Sequence, residues 1–175
     1  MRRLADAARI RELMRALGRA ATHPGQVFLA GGATAVLIGW RETTVDVDLK
    51  FVPDQDSVLR AVPALKETLE LNVELATPDD FIPVRPAWEE RSPFIAQEGT
   101  LTFRHFDLSA QALAKIERGH SQDMADVAEM LARGLVTREG LREEFAAIEP
   151  LLYRYPALDA ASFQRALEHA LSDQR

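Results

Sequence analysis

LAGGATAVLIGWRETTVDVDLKF, residues 29–51, decides how this chain is read. Two glycines end an apolar run, a short helical pattern follows, and then Asp46 and Asp48 stand one residue apart among valines. Glycines between a strand and a helix place backbone amides at the positive end of the helix dipole and let a phosphate approach the backbone closely. On a strand, residues i and i+2 share a face, about 7 Å apart. Asp46 and Asp48 therefore project together, and Val45, Val47 and Leu49 turn the other way into a core. Two parallel carboxylates repel each other. Exposure to water or nearby arginines is one remedy. A divalent cation is the other, because Mg²⁺ favours one or two carboxylates together with phosphate oxygens. The glycine pair is likewise open to two readings, a tight strand-to-helix turn or a phosphate cradle. No G-x-G-x-x-G fingerprint and no Gly-Lys-Ser/Thr of a Walker loop is present. A phosphate cradle beside a metal-binding strand fits phosphoryl transfer, where positioning and charge neutralisation do most of the catalysis.

Outward from this stretch, the spacing predicts an amphipathic helix over residues 3–20, with Ile10, Leu13, Met14 and Leu17 on one arc and an Arg11, Arg15, Arg19 stripe opposite. That stripe is either a solvated face or a contact for phosphates or an acidic partner. Strands are expected at Val27–Ala30, TTVDVDLKFV, LNVELA and TLTFRHF, four in all, with helices after the glycines and over 57–70. TPDDFIPVRPAWEERSP carries four prolines and reads as a loop, either a flap over a base or an irregular cover. Beyond Leu108 the pattern is helical only: 109–118, then 121–133 ending at Gly134, then a helix capped by Thr137, and a last one starting at Asp159 or Ser162. The fold class is α+β: a small mixed sheet flanked by helices over residues 1–107, with a helical C-terminal region, 108–175, packed on it.

The chain has 175 residues, a formal net charge of −6 and no cysteine. That size buries a real core. The acidic balance argues against broad binding to nucleic acid or acidic membranes, and no disulfide or thiolate metal site is available. No apolar run approaches transmembrane length, and the N-terminus lacks a signal-peptide segment. A cytoplasmic location is the expectation. His105 and His120 have no ligand spacing between them, so no zinc site is expected.

LAGGATAVLIGWRETTVDVDL resembles the signature of the polymerase-β-type nucleotidyltransferase superfamily, in which Gly-Gly or Gly-Ser opens a helix and Asp-x-Asp follows on the next strand. The downstream QALAKIERGHSQDMADV is similar to the Lys and Arg-Asp-x-x-Asp-like segments of the AbiEii-like, toxin-type branch and its uncharacterised relatives. The resemblance covers about residues 27–130. It implies a nucleotidyltransferase fold and transfer of a nucleoside monophosphate from a nucleoside triphosphate to an acceptor hydroxyl, with Mg²⁺ or Mn²⁺ as cofactor. It implies Asp46 and Asp48 as catalytic metal ligands, and Gly31, Gly32 and Thr34 as nucleotide contacts. Glu74 is the candidate third metal-binding carboxylate, with Asp107 and Asp80 as competitors.

Lysine is scarce: Lys50, Lys66 and Lys115 are the only three. Lys115 sits on the shoulder of a helix's apolar arc, beside Gln111 and Arg118. In the next helix Met124, Val127 and Leu131 define the inward face, with Asp123 inside that arc and Asp126 at its edge. One reading is a partly buried ion pair. The other, which the resemblance favours, has Lys115 and Arg118 bind the triphosphate, with Asp123 or Asp126 orienting the lysine or acting as base. Expected partners are a nucleoside triphosphate, a tRNA 3′ end or protein acceptor, and an antitoxin; no membrane and no sequence-specific DNA. The rivals are a catalytically silent nucleotide-binding or antitoxin-like regulatory module on the same scaffold and a metal-dependent phosphodiester hydrolase.

Overall fold

The computed structural model describes residues 3–172. The chain divides into two compact units: one runs through Thr77 and resumes over Ser92–Phe106, and the other holds Pro78–Arg91 and the chain from Asp107 onward.

The first unit is built on a five-stranded mixed sheet. Its strands are β1 (Gly25–Ala30), β2 (Asp46–Val52), β3 (Asn72–Glu74), β4 (Phe94–Glu98) and β5 (Leu101–His105), in the order β3-β2-β1-β5-β4. β1 runs antiparallel to β2 and parallel to β5, β3 is parallel to β2, and β4 is antiparallel to β5. β1 is central, and its last four residues are buried. β2 alternates as its sequence dictates: Val47, Leu49 and Phe51 are buried, while Asp46, Asp48 and Lys50 lie on the opposite face. The buried set joins Val27, Leu29, Val73, Leu101 and Phe103 in one core with Ile10, Leu13, Met14 and Leu17 of helix α1 (Ala7–Ala20) and Val58 and Val62 of α3 (Asp56–Thr68). Asp6 caps α1 by accepting from the Arg9 amide at 2.9 Å. Arg11, Arg15 and Arg19 are exposed. Near its end α1 lies directly on the β4–β5 hairpin: a Cβ on Gly18 would stand 2.5 Å from the Glu98 carbonyl oxygen.

Two expectations are corrected here. Val45 is 63% exposed, because the strand begins only at Asp46 and Val45 lies outside the pleat. Among the described residues there are also five strands, not four. Phe94–Glu98 pairs with β5 through the two-residue turn Gly99-Thr100, with Gly99 at φ +59° as a tight hairpin with glycine first requires.

The second unit consists of α5 (Leu108–Arg118), α6 (Ser121–Ala132), α7 (Arg138–Ile148), a 3₁₀ segment (Glu149–Arg154) and α8 (Ala160–Ser172). Its starts are where capping chemistry places them: Asp107 accepts from the Ser109 and Ala110 amides, Thr137 from Gly140 and Asp159 from Ser162. Phe145 and Phe163 meet edge to face at 5.1 Å between α7 and α8. The proline-rich segment contains a 3₁₀ turn (Pro78–Asp80) and the short helix α4 (Trp88–Arg91). It is tied to this unit by the Tyr155 hydroxyl donating to the Asp79 carbonyl at 2.7 Å and by Arg91 donating to Asp107 at 2.7 Å. No helix among the described residues is long and apolar enough to cross a membrane.

Candidate active site

In the first unit the antiparallel register sets Asp48 opposite Ala30, the residue before the glycine pair. Helix α2 (Gly31–Ile38) begins there, and Ala30 at its N-cap position offers no side chain to the first amides. Gly31 has φ +59°, and a Cβ built on it would stand 2.6 Å from Asp48 Oδ2. The carboxylate thus occupies the space that a side chain at residue 31 would need. Gly32 has no such room either: a Cβ would run into the Thr44 hydroxyl and lie 3.4 Å from an Arg41 guanidinium nitrogen. Glycine is required at both positions because functional groups crowd the turn.

Asp46 lies two residues back on the same face. Beside it on β3, Asn72 donates both to Asp46 Oδ1 and to Glu74 Oε1, the latter at 3.1 Å. The parallel register pairs Asp46 with Asn72 and Asp48 with Glu74. Asp46, Asp48, Glu74, Gly31 and Gly32 are therefore brought to one end of the sheet. Glu74 is exposed, as the last residue of a three-residue edge strand. Among the described residues, no group of three or more His, Asp or Glu side chains is clustered closely enough to hold a metal ion by itself. Two hard carboxylates on one face match a Mg²⁺ or Mn²⁺ ion that completes its shell with water and phosphate oxygens.

Thr34 is buried within α2. Its hydroxyl donates to the Leu29 carbonyl at 3.3 Å and lies 3.0 Å from His105 Nδ1. Burial, helped by the charge of Arg11, lowers the His105 pKa to about 4. His105 is a neutral ring closing the sheet against α2.

In the second unit Lys115 is 6% exposed and Asp126 is fully buried. Lys115 Nζ donates to Asp126 Oδ2 at 2.7 Å and lies 3.7 Å from Asp123 Oδ1. Arg118 forks onto Asp123 with bonds of 2.8 and 2.5 Å. Burial works to raise the Asp123 pKa, but Arg118, Lys115 and the His120 amide overcome it and hold the carboxyl below its usual range. Lys115, Arg118, Asp123 and Asp126 thus form one ion-paired cluster. The inward face of α6 is Asp123, Asp126, Val127 and Met130, which corrects the expected arc: Met124 and Leu131 are only half-buried, and Asp126 is at the centre rather than the edge. Asp107, once a competitor for the third carboxylate, caps α5 and pairs with Arg91. Glu144 of α7 is buried beside it. Burial first, and then the Asp107 charge, raise the Glu144 pKa against the pull of Arg91 and Arg85.

Two of these residues were not among the expected contacts: Arg41 at Gly32 and Asn72 between two carboxylates. A two-residue alternation from Asn72 to Glu74 was the available signal for the second. Nothing local marks the first, whose guanidinium reaches the turn from beyond the helix.

No curated protein and no solved structure matches the chain. A family profile described as "Nucleotidyltransferase of unknown function (DUF6036)" matches residues 6–170, nearly the whole chain. This supports the nucleotidyltransferase part of the resemblance and does not single out the AbiEii-like branch. With the glycine turn, the acidic strand and the mixed sheet in place, the chain belongs to this nucleotidyltransferase family.

Proposed function

We propose that the protein moves a nucleoside monophosphate from a nucleoside triphosphate to an acceptor hydroxyl, with Mg²⁺ or Mn²⁺ held by Asp46 and Asp48. The observation that carries this reading is the contact between the Asp48 carboxylate and the Gly31 turn. It brings a carboxylate fit for a divalent cation close to the amides of a helix start, the kind of backbone that favours a polyphosphate. In the transfer, the acceptor oxygen bonds to the α-phosphorus, the bond to the α,β-bridging oxygen breaks, and pyrophosphate leaves as the hydroxyl proton passes to solvent. Gly31 and Gly32 supply close backbone approach, and Arg41 supplies a guanidinium for a phosphate oxygen. The bound ion supplies charge neutralisation on the phosphates. For the second unit we propose the roles that the resemblance implies: Lys115 and Arg118 as phosphate-binding cations, with Asp123 holding them in place.

Incubation with α-labelled nucleoside triphosphates, total cellular RNA and total protein tests this reading. Label should enter one macromolecular pool, and Asp46→Ala or Asp48→Ala should abolish it, a loss of at least roughly 10³-fold. Incorporation at wild-type rate in either variant refutes the assignment. Label in RNA identifies a nucleic-acid 3′ end as acceptor, and label in protein identifies a side chain. The toxin reading then requires growth arrest on expression that depends on Asp46. A second reading, a nucleotide-binding module without chemistry, is favoured by the commitment of Lys115 to Asp126. Triphosphate binding with no product over long incubation would select it.

A further inference from the structure

We propose that Asn72 is a positioning residue that makes the acidic face a one-ion site, and that Glu74 stands outside the ion's ligand set. The inference rests on the metal role proposed for Asp46 and Asp48. An amide nitrogen has two hydrogens, and Asn72 gives them to two different carboxylates, Asp46 Oδ1 and Glu74 Oε1. It thereby does for that pair what a cation would do, drawing both oxygens to a common point without adding charge. A second divalent ion between Asp46 and Glu74 would have to displace this amide and meet the positive end of its dipole. On the strands, Asn72 sits directly across from Asp46 and two residues before Glu74, so backbone register rather than a flexible stem fixes the bridge. Asp46 is left with Oδ2 for an ion shared with Asp48. The absence of a three-carboxylate group among the described residues agrees with this division.

Mn²⁺ alone, titrated into the full chain and followed by electron paramagnetic resonance, reads the prediction without any turnover. The wild type should bind one ion per chain, and Asp48→Ala should remove it. Glu74→Gln, a change at an exposed position that the fold tolerates, should leave Mn²⁺ affinity within twofold. Asn72→Asp exchanges the donor for a carboxylate, and should add a second ion or tighten the first at least tenfold. Two ions in the wild type, a loss above tenfold in Glu74→Gln, or an unchanged titration in Asn72→Asp overturns the role of Asn72. Should Asn72→Asp fail to fold, the ion count of the wild type and the Glu74→Gln titration still decide. No ion bound to the wild type at all removes the metal reading of Asp46 and Asp48 itself, a different failure.

Discussion

Replacing Gly31 by alanine separates a backbone effect from a chemical one. At φ +59° an alanine costs about 1–2 kcal/mol. For a chain of this length that lowers the melting temperature by about 2–8 °C. The added Cβ also starts 2.6 Å from Asp48 Oδ2, whereas ordinary contact begins at 3.4 Å, so the carboxylate must retreat by the difference, about 0.8 Å. A misplacement near 1 Å at a reacting centre costs on the order of 10²-fold in rate. The control is Gly134→Ala, where φ is +67° and a Cβ meets nothing within 4 Å. Calorimetry should find similar drops in melting temperature for both variants. In the label-transfer assay only Gly31→Ala should slow, by about 10²-fold. Wild-type transfer by Gly31→Ala, or equal slowing by Gly134→Ala, would refute the coupling between turn and carboxylate.

Three further outcomes follow from the packing. Lys115→Met leaves Asp126 buried without its cation and should cost about 3–5 kcal/mol in urea denaturation, most of it recovered in Lys115→Met/Asp126→Leu; a single-variant loss below about 1 kcal/mol would show that the pair is not buried as described. His105 should make stability rise with pH. The unfolded ring takes a proton below pH 6.5 and the folded one refuses it until about pH 4, so across that window the unfolded state binds more protons. Each pH unit there is worth about 1.4 kcal/mol, and denaturation of His105→Gln between pH 4.5 and 7 should show a flatter slope. Gly18→Ala drives a Cβ into the Glu98 carbonyl and should cost about 1–3 kcal/mol, read as a lower urea midpoint with an unchanged slope.

The elements legible in the sequence are those whose signals are local. The period-two alternation of residues 46–52 identifies β2 and its faces, and Thr137 and Asp159 announce their helices by capping chemistry. Strand β4 was hidden because Phe94–Glu98 is neither alternating nor β-branched throughout and follows a proline-rich run. Only Gly99 marks its turn. At the site, Asp46, Asp48 and the glycines are visible because one strand and one turn carry them. The approach of Arg41 to the turn, the amide bridge of Asn72 and the depth of Asp126 owe their places to tertiary register, of which periodicity within a single element shows no more than a shared face. Asp126 shows the point most sharply. Its helical angle put it at an edge, and the lysine facing it made the centre tolerable.

The pairing of Ala30 with Asp48 has a consequence for how the chain can change over time. Shifting β2 by a single residue would trade Asp46, Asp48 and Lys50 for Val47, Leu49 and Phe51, sending three charges inward and three apolar side chains out. A lengthened or shortened connector between α2 and β2 therefore cannot slide the acids gradually along the turn. A one-residue slip that disarms this strand also dismantles the interior, whereas replacement of a single acidic side chain removes the chemistry and leaves the interior in place.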